Sequence, residues 1–169
     1  VIIMGSSGLM IGVNPSTGIK NMDALIARGK SKGLNFSSSG RGSPGYLAAE
    51  ILADVTKAKI TAIPYKGNAP AVTAVLSNEV DGGVLATPGL LPLVSSGKIN
   101  AVAVTGAQRS KLAPDVPTVG ELGMKKLELE ILYLAMVPAA TPDSVIHTLQ
   151  NAIMEALKRP EVHSRLEAL

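Results

Sequence analysis

The sequence predicts an α/β fold: a β-sheet with helices on both faces. Three observations lead there. Strand-like and helix-like segments alternate along the whole chain at the spacing of βαβ units. Clusters of Gly, Pro, Asn and Ser punctuate the alternation. Apolar residues make up 46% of the 169 residues and charged residues only 17%, a balance that builds a core and not a disordered chain.

The elements follow in order. "LMIGVNP" reads as a short strand ended by Asn14-Pro15. "STGIKNMDALIARGKSKG" has helical spacing at Ile19, Met22, Leu25 and Ile26, with Gly29 and Gly33 as stops. "LNFSSSG" is a strand running into a Gly/Ser loop. "SPGYLAAEILADVTKAK" is a helix. Ser43 caps it, Pro44 suits its first turn, and Leu47, Ile51 and Leu52 give it an apolar face. "ITAIPYKG" is a strand whose end Pro64 demotes to a loop. A short helix "APAVTAVLSNE", a buried strand "VDGGVLA", a helical or turn-rich "TPGLLPLVSSGK" and a strand "INAVAVTG" come next. "RSKLAPDVPTVGELG" is a proline-punctuated loop leading into a short turn of helix. "LELEILYLAMVP" alternates and then turns continuously apolar, as a long strand does. The last 29 residues form an amphipathic helix, broken at Pro160 and then resumed. There is no internal repeat and no low-complexity tract.

Composition excludes several classes. No cysteine is present, so disulfides and thiolate metal sites are absent. The net charge of +3 is compatible with anionic ligands. Lys and Arg form no stripe in the sequence: Lys57 and Lys59 are close, as are Lys125 and Lys126, and nothing denser is read. Only Phe36, Tyr46, Tyr65 and Tyr133 are aromatic, too few for a base-stacking surface, and nucleic-acid binding is not expected. No apolar run is long enough to span a bilayer. The start lacks a basic n-region and a Met at position 1, which reads as an interior cut point of a longer chain.

The chemistry centres on "SSSGRGSPGYLAAE", where Gly40, Gly42 and Gly45 match G-x-G-x-x-G. A dinucleotide site asks for an acid at the end of the next strand, to hold the ribose. That strand, "ITAIPYKG", ends in Lys66 and Gly67, and no Asp or Glu lies between Asp54 and Glu79. No Gly-Lys-Ser or Gly-Lys-Thr follows a glycine loop, and no serine has the G-x-S-x-G context of a hydrolase elbow. His147 and His163 read as helix-surface residues, three-ligand zinc spacing is absent, and Asp81, Glu128 and Glu130 are scattered. No catalytic set, cofactor or metal is expected. What remains is anion chemistry: hydroxyls and free backbone amides at a helix N-terminus, where the dipole adds partial positive charge. From spacing alone a carboxylate or phosphate site and a plain N-cap stay equally open, and Arg41 either adds charge to the site or is simply solvated.

Four segments in order carry a resemblance: "LNFSSSGRGSPGYLAAEIL", "AIPYKGNAPAVTAVLSNEVDGGV", "SGKINAVAVTGAQRSKLAPDVPTVGELGM" and "MVPAATPDSVIHTLQNAIMEAL". They resemble the Bug-type solute-binding proteins of the tripartite tricarboxylate transporter family, over nearly all the chain. The resemblance implies a type II periplasmic binding protein fold, in which two α/β lobes close on a small organic acid anion. It implies a periplasmic protein that is not an enzyme and delivers its ligand to membrane permease subunits. It places one ligand carboxylate on Ser37, Ser38, Ser39, Gly40, Gly42 and Ser43, with Tyr65, Lys66 and Gly67, and Ala86 and Thr87, lining the cleft. The alternative from another class is a small α/β nucleotide-binding enzyme using the Gly40–Gly45 loop.

On this resemblance the chain is a fragment. Residues 1–12 are a remnant of lobe 1, residues 13–128 the complete second lobe, and residues 129–169 a return strand and helix of lobe 1. A preceding half-lobe and a final strand and helix are missing. Tyr46 stands where many relatives carry His, and Gly82-Gly83 is unusually small. Half a cleft is expected to bind weakly or not at all, and a truncated lobe to expose apolar surface that favours self-association.

Overall fold

The computed structural model describes residues 2–162. Residues 160–162 are helical; His163 and the rest of the helix expected after Pro160 lie outside the described residues. The chain divides into two compact units, residues 8–130 and residues 1–7 with 131–169.

In the larger unit, strand β1 (Ile2–Val13) continues from residue 8 onward. After it come α1 (Met22–Ser31), β2 (Leu34–Ser38), α2 (Pro44–Thr56), β3 (Ile60–Pro64) and α3 (Asn68–Leu76). Then follow β4 (Gly82–Ala86), α4 (Thr87–Ser95) and β5 (Asn100–Val104). The sheet order is β3-β2-β4-β1-β5. β2 is parallel to β3 and to β4, because helices carry the chain back between them. β1 is antiparallel to both β4 and β5, so the sheet is mixed. Leu9–Val13 pair with Ala86–Gly82 inside this sheet, and the division between the two compact units falls after residue 7.

Strand alternation sorts the core into two faces. Met10, Leu85 and Val104 pack under Ala71, Val72 and Val75 of α3 and Leu90 and Leu91 of α4. On the other face, next to Ile11, Val84 and Phe36, α2 buries Ala48, Ala49 and Leu52. Helices thus cover both faces. Two glycines in β4 make room for the crossing. A Cβ on Gly82 would lie 2.6 Å from the Gly12 carbonyl oxygen, and one on Gly83 would lie 2.5 Å from Ser37 Oγ.

Local chemistry explains most boundaries. Asn21 caps α1, its side chain accepting from the Ala24 amide at 2.9 Å. Ile19, expected on that helix, is instead buried in the segment before the cap. Gly29, expected as a stop, lies inside α1, where a side chain would run into Ala58; Gly33, at φ +79°, turns the chain toward β2. Pro64 stays within β3, an edge strand where its missing N–H costs no ladder bond. Buried Asn14 ends β1: its amide donates to Asp81 O at 2.9 Å, and its side chain donates to Val75 O at 2.8 Å.

The proline-punctuated loop is held by one ion pair. Arg109 Nε donates to Glu121 at 2.9 Å, and Arg109 Nη1 donates to Pro114 O at 2.9 Å. Glu121 also accepts from the Thr118 amide at 2.7 Å, while Thr118 Oγ1 accepts from the Glu121 amide at 3.1 Å, a reciprocal cap.

In the smaller unit, β6 (Glu130–Ala135) pairs with β1, and α5 (Asp143–Leu157) follows. Ser7 Oγ and Tyr133 Oη lie 3.2 Å apart. The apolar run expected as a long strand is a short one, because Leu127 is buried in a 3-10 turn of the larger unit. Among its described residues the smaller unit buries none fully. Leu132, Tyr133, Leu134 and Met136 are exposed, Met136 at 73%.

Two predictions follow from these contacts. Gly45, the second residue of α2, abuts the Val84 carbonyl so closely that a Cβ has no space. Gly45→Ala is expected to lower unfolding stability by about 1–3 kcal/mol in denaturant titrations, despite the better helix propensity of Ala. An unchanged midpoint would refute the close packing. The Arg109 partner and the Thr118 amide hold the Glu121 carboxyl below its ordinary value of 4.5. A depressed folded value contributes stability above the unfolded value, which is lost as pH falls through the folded one. The stability gap between wild type and Glu121→Gln is therefore expected in full at neutral pH and to shrink below about pH 4.5. A gap independent of pH in thermal melts would exclude the pair.

Candidate functional site

β2, β3, β4 and β5 share one direction, and α2, α3 and α4 each begin directly after one of the first three. Their N-termini therefore lie along the carboxyl edge of the sheet. β2 sends α2 to one face, while β4 sends α4 to the other. Between the ends of β2 and β4 lies the topological switch point, where open α/β sheets form a crevice.

Backbone bonds stitch the loops at this edge together. Ser38 O accepts from the Tyr65 amide at 2.9 Å, and Ser39 O accepts from the Gly67 amide at 3.0 Å. Asn68 Oδ1 accepts from the Ala86 amide at 3.3 Å, linking the starts of α3 and α4. Asn68 was not singled out from the sequence. Its signal was the position in "GNAP", a side-chain acceptor at a helix start with no acid nearby.

The glycine loop owes its spacing to backbone geometry. Gly40 and Gly42 have φ of +149° and +78°, and Gly45 provides the close helix–strand approach. Ser43 caps α2, its Oγ accepting from the Tyr46 amide at 3.2 Å. Among the described residues, no protein acceptor takes the amides of Arg41, Gly42 or Gly45. Pro44 has no amide to give. The helix start thus keeps donors and positive potential to offer an anion.

The hydroxyls sort differently. Ser37 Oγ, fully buried, donates to Ala71 O at 3.0 Å. Thr87 Oγ1 donates to Gly8 O at 2.7 Å. Tyr65 Oη donates to Glu79 at 2.7 Å, and the ring packs against the α3–α4 core. Burial and that carboxylate both raise its pKa. These three hydroxyls hold the fold. Ser38 Oγ is buried without a partner, and Ser39 is half-buried at the loop entrance. Gly67 has φ of +110° and starts α3, while Ala86 precedes α4 without a side-chain cap. Lys66 and Arg41 are exposed at this edge. No Asp or Glu lies between Asp23 and Glu50, or between Asp54 and Glu79, so these loops carry positive charge only.

A surface groove of about 410 Å³ lies elsewhere in the larger unit, lined by Lys20, Asn21, Asn100 and Asp115 among others. None of the loop residues above lines it. A crevice open to solvent has little enclosed volume, so the helix ends mark the better candidate. Among the described residues, no three His, Asp or Glu side chains gather to hold a metal.

The family described as "Tripartite tricarboxylate transporter family receptor" matches residues 1–168. Protein BugT of Bordetella pertussis is 33% identical over 164 residues, covering 96% of this chain and 50% of that protein. The R. palustris protein Rpa4515, solved with adipate, superposes with a TM-score of 0.92 at 27% identity, covering 99% of this chain and 56% of the other. The periplasmic binding protein BugD superposes with a TM-score of 0.86 at 28% identity, covering 95% of this chain and 56% of the other. The chain spans about half the length of the curated relatives it matches. Over that shared part the fold is a partial type II periplasmic binding fold. The chain belongs to the tripartite tricarboxylate transporter receptor family.

Proposed function

We propose that this chain is the ligand-gripping part of a periplasmic solute-binding receptor. It takes one carboxylate of a small organic acid anion at the carboxyl edge of the sheet. The larger unit is the second lobe, and β6 with α5 belongs to the first. The receptor is not an enzyme, and it passes its ligand to the permease subunits of a tripartite tricarboxylate-type transporter.

One observation carries this reading: three helix N-termini meet at the switch-point edge with Arg41 and Lys66, and the loops themselves carry no acid, the Glu79 carboxylate reaching only the far end of Tyr65. A carboxylate there accepts from the amides of Gly42 and Gly45 and from the Ser39 hydroxyl. A ribose finds no acid at the end of β3, where Tyr65 and Lys66 stand, which disfavours the nucleotide reading. Adipate, named for the Rpa4515 structure, is a fitting probe of the ligand class.

A binding protein of this kind gains affinity by closing a second lobe over its ligand and expelling water. One lobe leaves the anion in high dielectric, where each hydrogen bond nets about 0.5–1.5 kcal/mol. Adipate is therefore expected to bind this chain weakly. An amide NMR titration is expected to shift Ser39–Gly45, Gly67 and Ala86, saturating only in the millimolar range, with no effect of NADH. Shifts confined to other residues, or saturation by NADH, would overturn the proposal. Micromolar adipate affinity by calorimetry would overturn the claim that one lobe is insufficient.

A further inference from the structure

The lysines that look dispersed in the sequence are gathered by the fold. The last turn of α1 and the end of α2 meet at the start of β2 and β3. The Lys59 amide donates to Gly29 O at 3.1 Å, and the Leu34 amide donates to Lys59 O at 2.8 Å. Gly29 packs against Ala58, and the space beside Gly33 is bounded by Lys59. This corner presents Lys30, Lys32, Lys57 and Lys59, all exposed, with half-buried Arg28 behind them. Lys126 lies near enough to help lower the pKa of Asp54. Asp54, paired with Lys57 at 2.8 Å, is set among them, Glu50 lies one turn earlier in α2, and the Asp81 carboxylate accepts from the Asn35 amide at 2.8 Å at the start of β2. The cluster's six cations, set against Asp54, Glu50 and Asp81, leave an excess of positive charge equal to the net +3 of the whole chain.

We propose that this corner is an electrostatic docking surface for an anionic phospholipid bilayer. Three features favour lipid over other anions. The α1 and α2 C-termini both end here, and their carbonyls repel a small anion held close in, while long lysine stems still reach a charged plane. The exposed cations are lysines, compact point charges, and not the forked arginines that read individual carboxylates. No aromatic side chain stands among them to stack a base. Clusters of four or more basic residues draw proteins to anionic leaflets within a Debye length. The corner also lies at the opposite edge of the sheet from the helix N-termini, so adsorption leaves the candidate ligand edge facing solution. The inference stands whether or not that edge binds carboxylates.

Vesicle co-sedimentation of the 169-residue chain tests it. Binding is expected to phosphatidylcholine vesicles containing roughly one-third phosphatidylglycerol at low salt, with release by about 0.5 M salt and none to phosphatidylcholine alone. The variant Lys30→Gln, Lys32→Gln, Lys57→Gln, Lys59→Gln is expected to weaken binding at least about tenfold. A control with the same charge loss, Lys98→Gln, Lys111→Gln, Lys158→Gln, Arg159→Gln, is expected to keep most of it. Should the first variant lose its native circular dichroism spectrum, Lys32→Gln with Lys59→Gln serves in its place. Equal loss in both variants, binding to uncharged vesicles, no binding at all, or preference for polyglutamate or an oligonucleotide over the vesicles would each overturn the proposal.

Discussion

The contact between Gly45 and the Val84 carbonyl governs the rest of the site. Because α2 starts with no side chain at its second position, its first turn settles directly on the backbone of β4. That places a helix N-terminus at the centre of the sheet, where β2 and β4 part. A larger residue there would lift the helix end and leave its amides aimed elsewhere. Gly82 and Gly83 extend the same constraint into β4, since Gly12 and Ser37 leave no room for side chains. The small residues of these segments are the condition for the chain crossing closely, and the position of the free amides at the start of α2 is a consequence.

This accounts for a spacing that imitates a dinucleotide loop. In both settings a strand turns sharply into a helix, so two glycines take positive φ and a third permits close packing. Gly40, Gly42 and Gly45 fill those positions here. The spacing therefore reports a strand–loop–helix junction and does not by itself name a ligand. The neighbouring strand β3 offers Lys66 and no acid at its end.

The two units differ in how they are stabilised. The larger one carries a two-faced core from Leu9 to Leu127. The smaller one pairs β6 with β1 and packs α5 nearby, yet leaves Leu132, Leu134, Met136 and Leu149 exposed. A strand that is continuously apolar in sequence normally lies buried on both faces. Here Leu132, Tyr133 and Leu134 of that strand are exposed.

The sequence by itself determined the alternation of elements, the Ser43 cap, and the glycine loop at a helix start. Each depends on residues a few positions apart, within reach of local backbone sterics and capping. It also carried the family resemblance, since that rests on ordered motifs. Only the tertiary structure decided which hydroxyls are free. Ser37, Thr87 and Tyr65 meet partners far away in sequence, Ala71, Gly8 and Glu79, and no local pattern announces those bonds. It alone reversed β1 against its neighbours, because strand direction depends on which edges pair. And it alone brought Lys30 and Lys32 beside Lys57 and Lys59, because charge density at a surface is set by how the chain folds back, not by spacing along it.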